Sequence, residues 1–318
     1  MANYKGIVGQ EIEIKASNPD NPLIGQVWYN TTDDVVRYKA PDGANTWATG
    51  GNLNTGRRLL FGTGTQSSAL GCSGLAGFSG NTNTELYNGS SWTEVNDINV
   101  GRYLMAGFGT QPASIGCGGF GPPTGTTATE SWNGTNWSEV NDLNTARNYS
   151  KGVGLQSAGL VMGDATGAGN TESWNGSSWS EVNDLNTSRY SAGACGVQSS
   201  ALFFGGANPF SGSALNESWN GSSWSEVGDL NTARKQHEGA GESNSSGLCI
   251  GGTPMSPTTQ CEEWNGSSWS EVNDLNELFT EGGSAGTKSL ALAFGDAFSE
   301  GRTEEWSPVS GVKTVETT

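Results

Sequence analysis

One sequence cassette returns six times along this chain of 318 residues, the last time in shortened form. Two of the clearest copies read ESWNGSSWSEVNDLNT, from Glu172 to Thr187, and ESWNGSSWSEVGDLNT, from Glu217 to Thr232. The second tryptophan of the cassette recurs every 42 to 45 residues. A repeat of this period indicates an array of similar modules, because one such module cannot bury its apolar face alone.

At each end of the chain, one of the two aromatic positions of the cassette lacks its partner. Trp47 has no Glu-x-Trp cassette before it, and Trp306 has no second tryptophan after it. We therefore expect the segment around Trp47 to pair antiparallel beside Glu304 to Trp306. We also expect both aromatic positions to form the structural core of the repeats. The first position holds Tyr87, Trp132, Trp174, Trp219, Trp264 and Trp306, and the second holds Trp47, Trp92, Trp137, Trp179, Trp224 and Trp269.

Each module reads as two β-hairpins. In the fourth repeat, Arg189 to Val197 and Ala201 to Gly206 predict the first hairpin, and Glu217 to Val227 predicts the second. Asn-Gly is a strong hairpin signal, because both turn residues of the common two-residue loop need positive φ. A two-residue loop places Trp219 opposite Ser222, whereas a four-residue loop places it opposite Trp224. Either register leaves both tryptophans on one face of the sheet.

Composition supports an all-β chain with almost no helix. There are 49 glycines, 15% charged residues and 9% aromatics, which suits many short strands and tight turns. Stacking four-stranded modules and wrapping them into a ring buries the exposed tryptophans. The sequence thus predicts a six-bladed β-propeller at residues 47–306, after an N-terminal segment at 1–46 and before a C-terminal tail at 307–318. The alternative is a seven-bladed propeller, in which Val35 to Tyr38 and Trp47 contribute to a seventh blade.

The repeat resembles the kelch motif. The fourth repeat carries its elements as Arg189, Gly205-Gly206, Trp219, Trp224 and Leu230. The resemblance implies a kelch-like propeller, and the mismatch of Trp47 and Trp306 at the chain ends predicts that an N-terminal strand closes its ring. The chain departs from the motif where the double glycine becomes Gly-Asp, at residues 163–164 and 295–296, and where Phe279 replaces the recurrent arginine.

The amino-acid sequence of the repeat is also similar to that of kelch-like propellers in the structural proteins of marine bacteriophages. The segments Pro22 to Thr32 and Val35 to Tyr38 look like the opening of phage tail-fibre and other virion proteins, and they read as a hairpin around Thr31 to Asp34. The resemblance implies that residues 1–46 attach the protein, in several copies, to other proteins of the tail or capsid surface. The expected attachment residues are Val27, Trp28, Tyr29 and Tyr38.

Two charged positions recur in the frame and predict ion pairs that fix the register of the modules. An arginine precedes the first strand of a module, and a glutamate stands two residues before the first aromatic. Exposed charges, worth under ~1 kcal/mol per pair, are the alternative. The arginines are Arg57, Arg102, Arg147, Arg189 and Arg234, and the glutamates are Glu85, Glu130, Glu172, Glu217, Glu262 and Glu304.

Charge and apolar patterning argue against several partners. A formal net charge of −17 without basic patches disfavours nucleic acid, and no apolar run reaches the roughly 18 residues of a membrane span. Met1 to Gln10 contains no apolar signal-peptide core. We therefore expect no nucleic-acid partner and no membrane insertion. The resemblance to phage structural proteins implies a protein made in the host cytoplasm and located in the virion, on the tail or capsid surface.

No pattern in the chain predicts a catalytic, cofactor or metal site. The single histidine, His237, argues against copper and multi-histidine zinc sites and is expected to be a polar residue at a loop edge. Most carboxylates recur in every repeat, which indicates structural roles, although a glycosidase-like pair is not excluded by number. The sequence of the acidic turns does not decide whether they bind Ca²⁺.

The chain has five cysteines. Cys72, Cys117 and Cys249 occupy one repeat position and are expected to be reduced, because equivalent points on separate modules lie too far apart for a disulfide. The sequence does not decide whether Cys195 and Cys261 are reduced.

Three functions remain. The first is a non-enzymatic virion protein that displays its propeller for host-surface binding, with a host glycan as candidate ligand of the variable loops. The second is a capsid decoration or tail-assembly protein that contacts only virion subunits. The third is a polysaccharide-degrading enzyme. The variable loops span Ala76 to Asn83, Phe120 to Ala128, Ala165 to Asn170, Ala207 to Leu215 and Pro254 to Thr259.

Overall fold

A computed structural model describes residues 13–19, 26–39, 45–77, 79–121, 124–165, 169–208, 210–298, 301–307 and 312–314. The chain divides into two compact units, one formed by Met1–Asn45 with Pro308–Thr318 and the other by Thr46–Ser307. The described residues contain strands and turns but no helix, which confirms the predicted all-β class. None of them therefore forms a helix long and apolar enough to cross a membrane.

The larger unit contains six four-stranded antiparallel sheets with the same strand order. The first sheet comprises Phe61–Thr65, Ser68–Cys72, Thr84–Tyr87 and Trp92–Val95, and the second Ala106–Thr110, Ala113–Cys117, Thr129–Trp132 and Trp137–Glu139. The third comprises Lys151–Leu155, Ala158–Met162, Thr171–Trp174 and Trp179–Val182, and the fourth Gly193–Val197, Ser200–Phe204, Asn216–Trp219 and Trp224–Val227. The fifth comprises Glu238–Ser243, Ser246–Ile250, Cys261–Trp264 and Trp269–Val272. Short two-stranded ribbons follow the second strand in three repeats, at Leu75–Ala76 with Ser79–Gly80, Phe120–Gly121 with Thr124–Gly125, and Ala207–Asn208 with Ser211–Gly212.

The sixth sheet takes its strands from both ends of the unit. Gly283–Gly286, Ala291–Phe294 and Thr303–Ser307 are joined by Thr46–Thr49, whose Trp47 lies opposite Trp306. The predicted antiparallel pairing of the Trp47 segment with residues 304–306 is therefore confirmed. It leaves the outer edge of Thr303–Ser307 covered by a strand.

The second hairpin of the first five repeats uses the four-residue loop. Trp219 lies opposite Trp224, with ring centroids 5.3 Å apart. Gly221 has the positive φ, at 94°, while the Asn220 side chain accepts hydrogen bonds from the amides of Ser222 and Ser223, both at 2.9 Å. The expectation that both Asn and Gly need positive φ is therefore wrong here, because asparagine works as a side-chain acceptor and only glycine bends the backbone.

Neighbouring sheets pack face to face. The first strand of each sheet lies against the first strand of the next, and Gly283–Gly286 of the sixth sheet lies against Phe61–Thr65 of the first. Six buried apolar clusters fill the space between sheets, one for each neighbouring pair, and one of them joins the sixth sheet to the first. In that cluster Trp92 contacts Phe294, with ring centroids 4.7 Å apart. This is a propeller-like sheet architecture.

The smaller unit contains its own four-stranded sheet. Its strands are Glu13–Lys15, Val27–Asn30, Val35–Lys39 and Val312–Thr314, in that order. The hairpin around Thr31 to Asp34 is present as predicted. The C-terminal residues 312–314 pair with Val35–Lys39, so the expectation of a separate tail at 307–318 is wrong for this segment. Val35–Lys39 pairs within this sheet and not with the Trp47 strand.

Candidate functional site

The two ends of the sheets in the larger unit differ in sequence variety. Because the strands are antiparallel, the connections after the second and fourth strands lie at one end, and the turns after the first and third strands lie at the other. The turns after the third strand repeat Asn-Gly with little change, whereas the connections after the second strand differ in length and composition. We call these the uniform end and the variable end. Bridges such as Arg58 with Leu75 and Tyr190 with Ala207 join the two kinds of connection at the variable end.

Six residues with left-handed backbone conformation stand at the centre of the variable end, one from each repeat. Their φ angles lie between 53° and 61°. None is glycine, and such a conformation costs of order 1–3 kcal/mol in a side-chain-bearing residue, so the surrounding structure must impose it. The residues are Leu59, Leu104, Tyr149, Ser191, Gln236 and Glu281.

A cycle of backbone hydrogen bonds imposes this conformation. Leu104 donates to Leu59 at 3.0 Å, and each following left-handed residue donates its amide to the carbonyl of the one before. The last, Glu281, accepts from Leu59 at 2.6 Å, so the chain of six bonds returns to its start. The six residues form a rigid collar of fixed backbone with five different kinds of side chain, since Leu59 and Leu104 are both leucine.

The collar surrounds a small cavity, which we call the central cavity. Its volume is about 40 Å³, and all six repeats contribute to its wall. The first three repeats supply mostly apolar side chains, and the last three supply mostly polar ones. The apolar part contains Leu59, Leu60, Leu104, Met105 and Tyr149, and the polar part contains Ser191, Gln236, His237, Glu238 and Glu281, with Ser150 and Lys151 between them.

The charges around the central cavity are paired. Lys151 contacts the buried carboxylate of Glu238, and Arg58 lies 2.6 Å from the carboxylate of Glu281. Gln236 donates a further hydrogen bond of 2.6 Å to Glu281. Burial raises the pKa of Glu238, and Lys151 opposes that shift. The charged groups at the cavity therefore balance, with Lys151 and Arg58 against Glu238 and Glu281.

His237 is fully buried, which corrects its predicted position at a polar loop edge. It stands directly before the first strand of the fifth sheet. Its Nε2 lies 2.9 Å from the amide of Gly193, which donates to it, and 2.9 Å from the carbonyl of Phe204. Burial, and then the nearby Arg234, lower the pKa of His237 well below its usual value, so the imidazole is neutral at pH 7.

Three residues of the cavity wall carry buried polar atoms that have no hydrogen-bond partner within the described part of the chain. They are the Oγ of Ser150, the Oγ of Ser191 and the Nδ1 of His237. Native proteins leave few such atoms, because each unpaired buried group costs about 1–3 kcal/mol. Three of them belong to residues of one cavity, where water or a bound molecule can complete the hydrogen bonding.

A wider groove lies elsewhere on the variable end, between the loops of the fourth and fifth repeats. Its volume is about 750 Å³, and Phe210 and Met255 stand on its wall with 80% and 99% of their surface exposed. Lys235 donates to the carbonyl of Phe210 at 2.8 Å. The groove adjoins Ala207 to Leu215 and Pro254 to Thr259, two of the loops expected to carry recognition. Residues 78, 122–123, 166–168 and 209, in the predicted loops, lie outside the described residues.

The recurrent arginines and glutamates meet in the structure. Five buried pairs have N–O distances from 2.5 to 2.9 Å. In the fourth repeat Arg189 pairs with Glu217, which also accepts the backbone and side-chain amides of Asn186 from the connection that follows the third sheet. Each glutamate thus ties the entry of a sheet to its third strand. The pairs are Arg57 with Glu85, Arg102 with Glu130, Arg147 with Glu172, Arg189 with Glu217, and Arg234 with Glu262.

The sixth repeat replaces this pair. Phe279 is buried at the arginine position, and Glu304 has Arg302 at 3.6 Å instead. Glu304 keeps its contacts to both amides of Asn276, at 2.9 and 2.7 Å. The glutamate of the sixth repeat therefore keeps its link to the preceding connection, and Arg302 replaces the recurrent arginine as its cation.

The other predicted residues occupy interior positions. All eleven tryptophans of the cassette and Tyr87 are buried, and all five cysteines are free and buried. The described residues contain no group of three or more His, Cys, Asp or Glu side chains placed to hold a metal ion. Carboxylates of the acidic turns accept hydrogen bonds within the chain, as Asp184 does from the Thr171 amide at 3.1 Å.

The expected attachment residues lie in the smaller unit. Trp28 is buried and donates to Asn18 at 3.3 Å, so it belongs to the interior of the unit rather than to a contact surface. Val27 and Tyr29 are half-buried, and Tyr29 donates to the carboxylate of Asp34. Tyr38 pairs through its backbone with Val27. Residues 1–12, 20–25 and 40–44 of the predicted attachment segment lie outside the described residues.

Sequence reasoning missed the collar and the central cavity. A signal was present: the collar residue stands two positions after the recurrent arginine, or after Phe279 in the sixth repeat, and it is leucine in the first two repeats and different in each of the other four. Variation at such a position indicates a binding surface, because a purely structural position would repeat like its neighbours. The chain matches no protein-family model, and no curated protein has a significantly similar sequence.

Proposed function

We propose that the six sheets of Thr46–Ser307 are the blades of a six-bladed, kelch-like β-propeller closed by the N-terminal strand. Three observations support this: the hydrogen-bond cycle of the collar, the pairing of Trp47 with Trp306, and the apolar cluster between the sixth and first sheets. Ring closure removes bare sheet edges and makes a rigid support for variable loops.

We further propose that the protein is a non-enzymatic bacteriophage virion protein. The unit built from residues 1–45 and 308–318 attaches it to a tail or fibre, and the variable end binds the host surface, with glycans as the ligand class. The resemblance of the repeat and of the N-terminal segment to phage structural proteins supports the virion assignment. Most recurrent carboxylates are engaged in the frame, which supports a binding role over glycan cleavage.

The observation that carries the binding role is the contrast between the two ends of the sheets. The uniform end repeats one turn, while the variable end combines changing loops, a groove with exposed Phe210 and Met255, and a central cavity whose six collar residues are of five kinds. Recognition residues concentrate on loops held by a rigid scaffold. A capsid decoration or tail-assembly protein that contacts only virion subunits is the second candidate, because large exposed apolar side chains also suit a protein partner.

The test is binding of the full-length protein to a glycan array and to host cells. Phe210→Ala and Met255→Ala, on the variable end, are compared with Leu155→Ala, which removes a 51% exposed side chain near the uniform end. We expect glycan and cell binding that the variable-end changes weaken and Leu155→Ala leaves intact. Absence of glycan and cell binding, together with capture of virion proteins through the variable end, would favour the assembly role. Cleavage of a polysaccharide would contradict the non-enzymatic assignment.

A further inference from the structure

We propose that the central cavity binds the exocyclic hydroxymethyl group of a neutral hexose. The inference rests on the proposed glycan-binding function and names the chemical class of the sugar and the place where it enters. It assigns Ser150, Ser191 and His237 as the residues that complete their hydrogen bonding with that hydroxyl or with water beside it.

The size of the cavity fits this group. A water molecule needs roughly 10–15 Å³ of such space, so a cavity of about 40 Å³ admits about three water-sized groups. A hydroxymethyl group with one accompanying water occupies that space. A whole pyranose ring does not, and therefore remains at the mouth, beside the collar.

The polar atoms of the wall fit a hydroxyl. Ser150 and Ser191 each offer a hydroxyl that donates and accepts, and neutral His237 offers Nδ1. Nε2 faces both the Gly193 amide and the Phe204 carbonyl, and Nδ1 is an acceptor or a donor according to which of the two Nε2 engages. A sugar hydroxyl both donates and accepts, so together with the two serines it pairs with either tautomer. These three atoms are buried, so they find no substitute partner in bulk water.

The electrostatics of the wall favour a neutral sugar over an acidic one. The two cations, Lys151 and Arg58, are held by Glu238 and Glu281. A carboxylate in place of the hydroxymethyl group would enter a buried site without a free cation, which is unfavourable. Leu59, Leu104 and Tyr149 supply apolar surface for the C–H groups of the ring.

The test is calorimetric titration of the full-length protein with the methyl glycosides of glucose, galactose and mannose. Each is compared with its 6-deoxy counterpart, which lacks only the hydroxyl, and with the corresponding uronic acid. We expect at least one hexoside to bind, with its 6-deoxy and uronic counterparts about 10-fold weaker or more. The 6-deoxy sugar leaves the buried partners unpaired, and the uronic acid buries a carboxylate without a free cation. Equal binding of the 6-deoxy sugar, or binding of no hexoside, would overturn the inference.

Two serine variants provide an independent arm. Ser150→Ala and Ser191→Ala remove hydroxyls that have no partner within the described chain, so both variants are expected to fold with a melting temperature no lower than that of the wild type. We expect weaker hexoside binding in both and unchanged binding in Ser177→Ala, whose exposed hydroxyl lies in a turn of the uniform end. Glycan-array binding that survives both cavity variants would leave the proposed function intact and refute the cavity. Hexoside binding in the cavity without any host-surface binding would support the cavity site and refute the proposed function.

Discussion

The backbone amide of Leu59 donates a 2.6 Å hydrogen bond to the carbonyl oxygen of Glu281, which joins the first repeat of the chain to the last. Both residues have left-handed backbone conformation, as do the four collar residues between them. The collar therefore depends on all six repeats being in place together. Any change that separates the sixth sheet from the first should disturb the central cavity as well as stability.

The first prediction concerns the strand that carries Trp47. Trp47→Ala should destabilise the larger unit by about 3–5 kcal/mol, because it removes a buried ring that packs 5.3 Å from Trp306. Thr49→Ala, on an exposed position of the same strand, should change the free energy of unfolding by less than ~0.5 kcal/mol. Chemical denaturation of both variants measures the difference.

Truncation tests the same strand. Deletion of residues 1–40 should leave the melting transition of the larger unit close to that of the full chain and remove particle attachment. Deletion through Asn54 removes Thr46–Thr49 from the sixth sheet and should lower the melting temperature by roughly 10 °C. Equal melting of the two truncated proteins would contradict the role of this strand.

The second prediction concerns the buried ion pairs. Arg189→Met should destabilise by about 3–5 kcal/mol, because it leaves the fully buried Glu217 carboxylate without its cation. The double variant with Glu217→Gln should lose less than the sum of the single losses, since no charge is then buried unpaired. Lys288→Met, which breaks a partly exposed pair with Glu263, should cost less than ~1 kcal/mol. Strictly additive losses at Arg189 and Glu217 would show that the pair is not coupled.

The third prediction concerns pH. The pKa of His237 is lowered in the folded protein, so below about pH 6.5 the unfolded chain binds a proton that the folded chain excludes. Stability contributed by neutral His237 is therefore present above pH 6.5 and lost as the pH falls. The raised pKa of Glu238 acts in the opposite direction at lower pH, where its protonation favours the folded state.

Comparison with His237→Gln isolates the histidine. Glutamine keeps a polar group near Gly193 but does not titrate, and all other groups are common to both proteins. The free energy of unfolding of the wild type should fall relative to the variant between pH 7 and 5, by on the order of 1 kcal/mol per unit. A constant difference across this range would mean that His237 keeps an ordinary pKa.

The fourth prediction concerns the cysteines. Burial raises the pKa of Cys72, Cys117 and Cys261 to about 12 and raises that of Cys195 and Cys249 further. Because the thiolate is the reactive form, the native protein should not react measurably with a thiol reagent at pH 8. All five should react after denaturation without reductant. Fewer than five reactive thiols in the denatured protein would reveal a disulfide or another blocked thiol.

The repeat predicted much of the larger unit because its signals are local. Alternating small and large residues, Asn-Gly turns and paired aromatics fix strands and hairpins within one module. The mismatch of Trp47 and Trp306 at the chain ends predicted their pairing, which the structure confirms. A periodic pattern also placed the arginines and glutamates at matching points of five repeats, where they meet as buried pairs.

Other features depended on which residues of different repeats come together. No signal within one module shows that Ser150, Ser191 and His237 share one cavity, since they come from three repeats whose sheets meet only after packing. For the same reason the sequence misplaced His237 and separated residues 312–314 from Val35–Lys39, a short pairing without a distinctive pattern.

The sequence by itself thus determined the module, its hairpins and its tryptophan core, because hydrophobic periodicity and turn chemistry act between residues near one another in the chain. Tertiary structure alone decided the left-handed collar, its hydrogen-bond cycle and the central cavity. Those features exist only where six separate connections converge. A backbone conformation that costs energy in each repeat is held there by bonds from its neighbours.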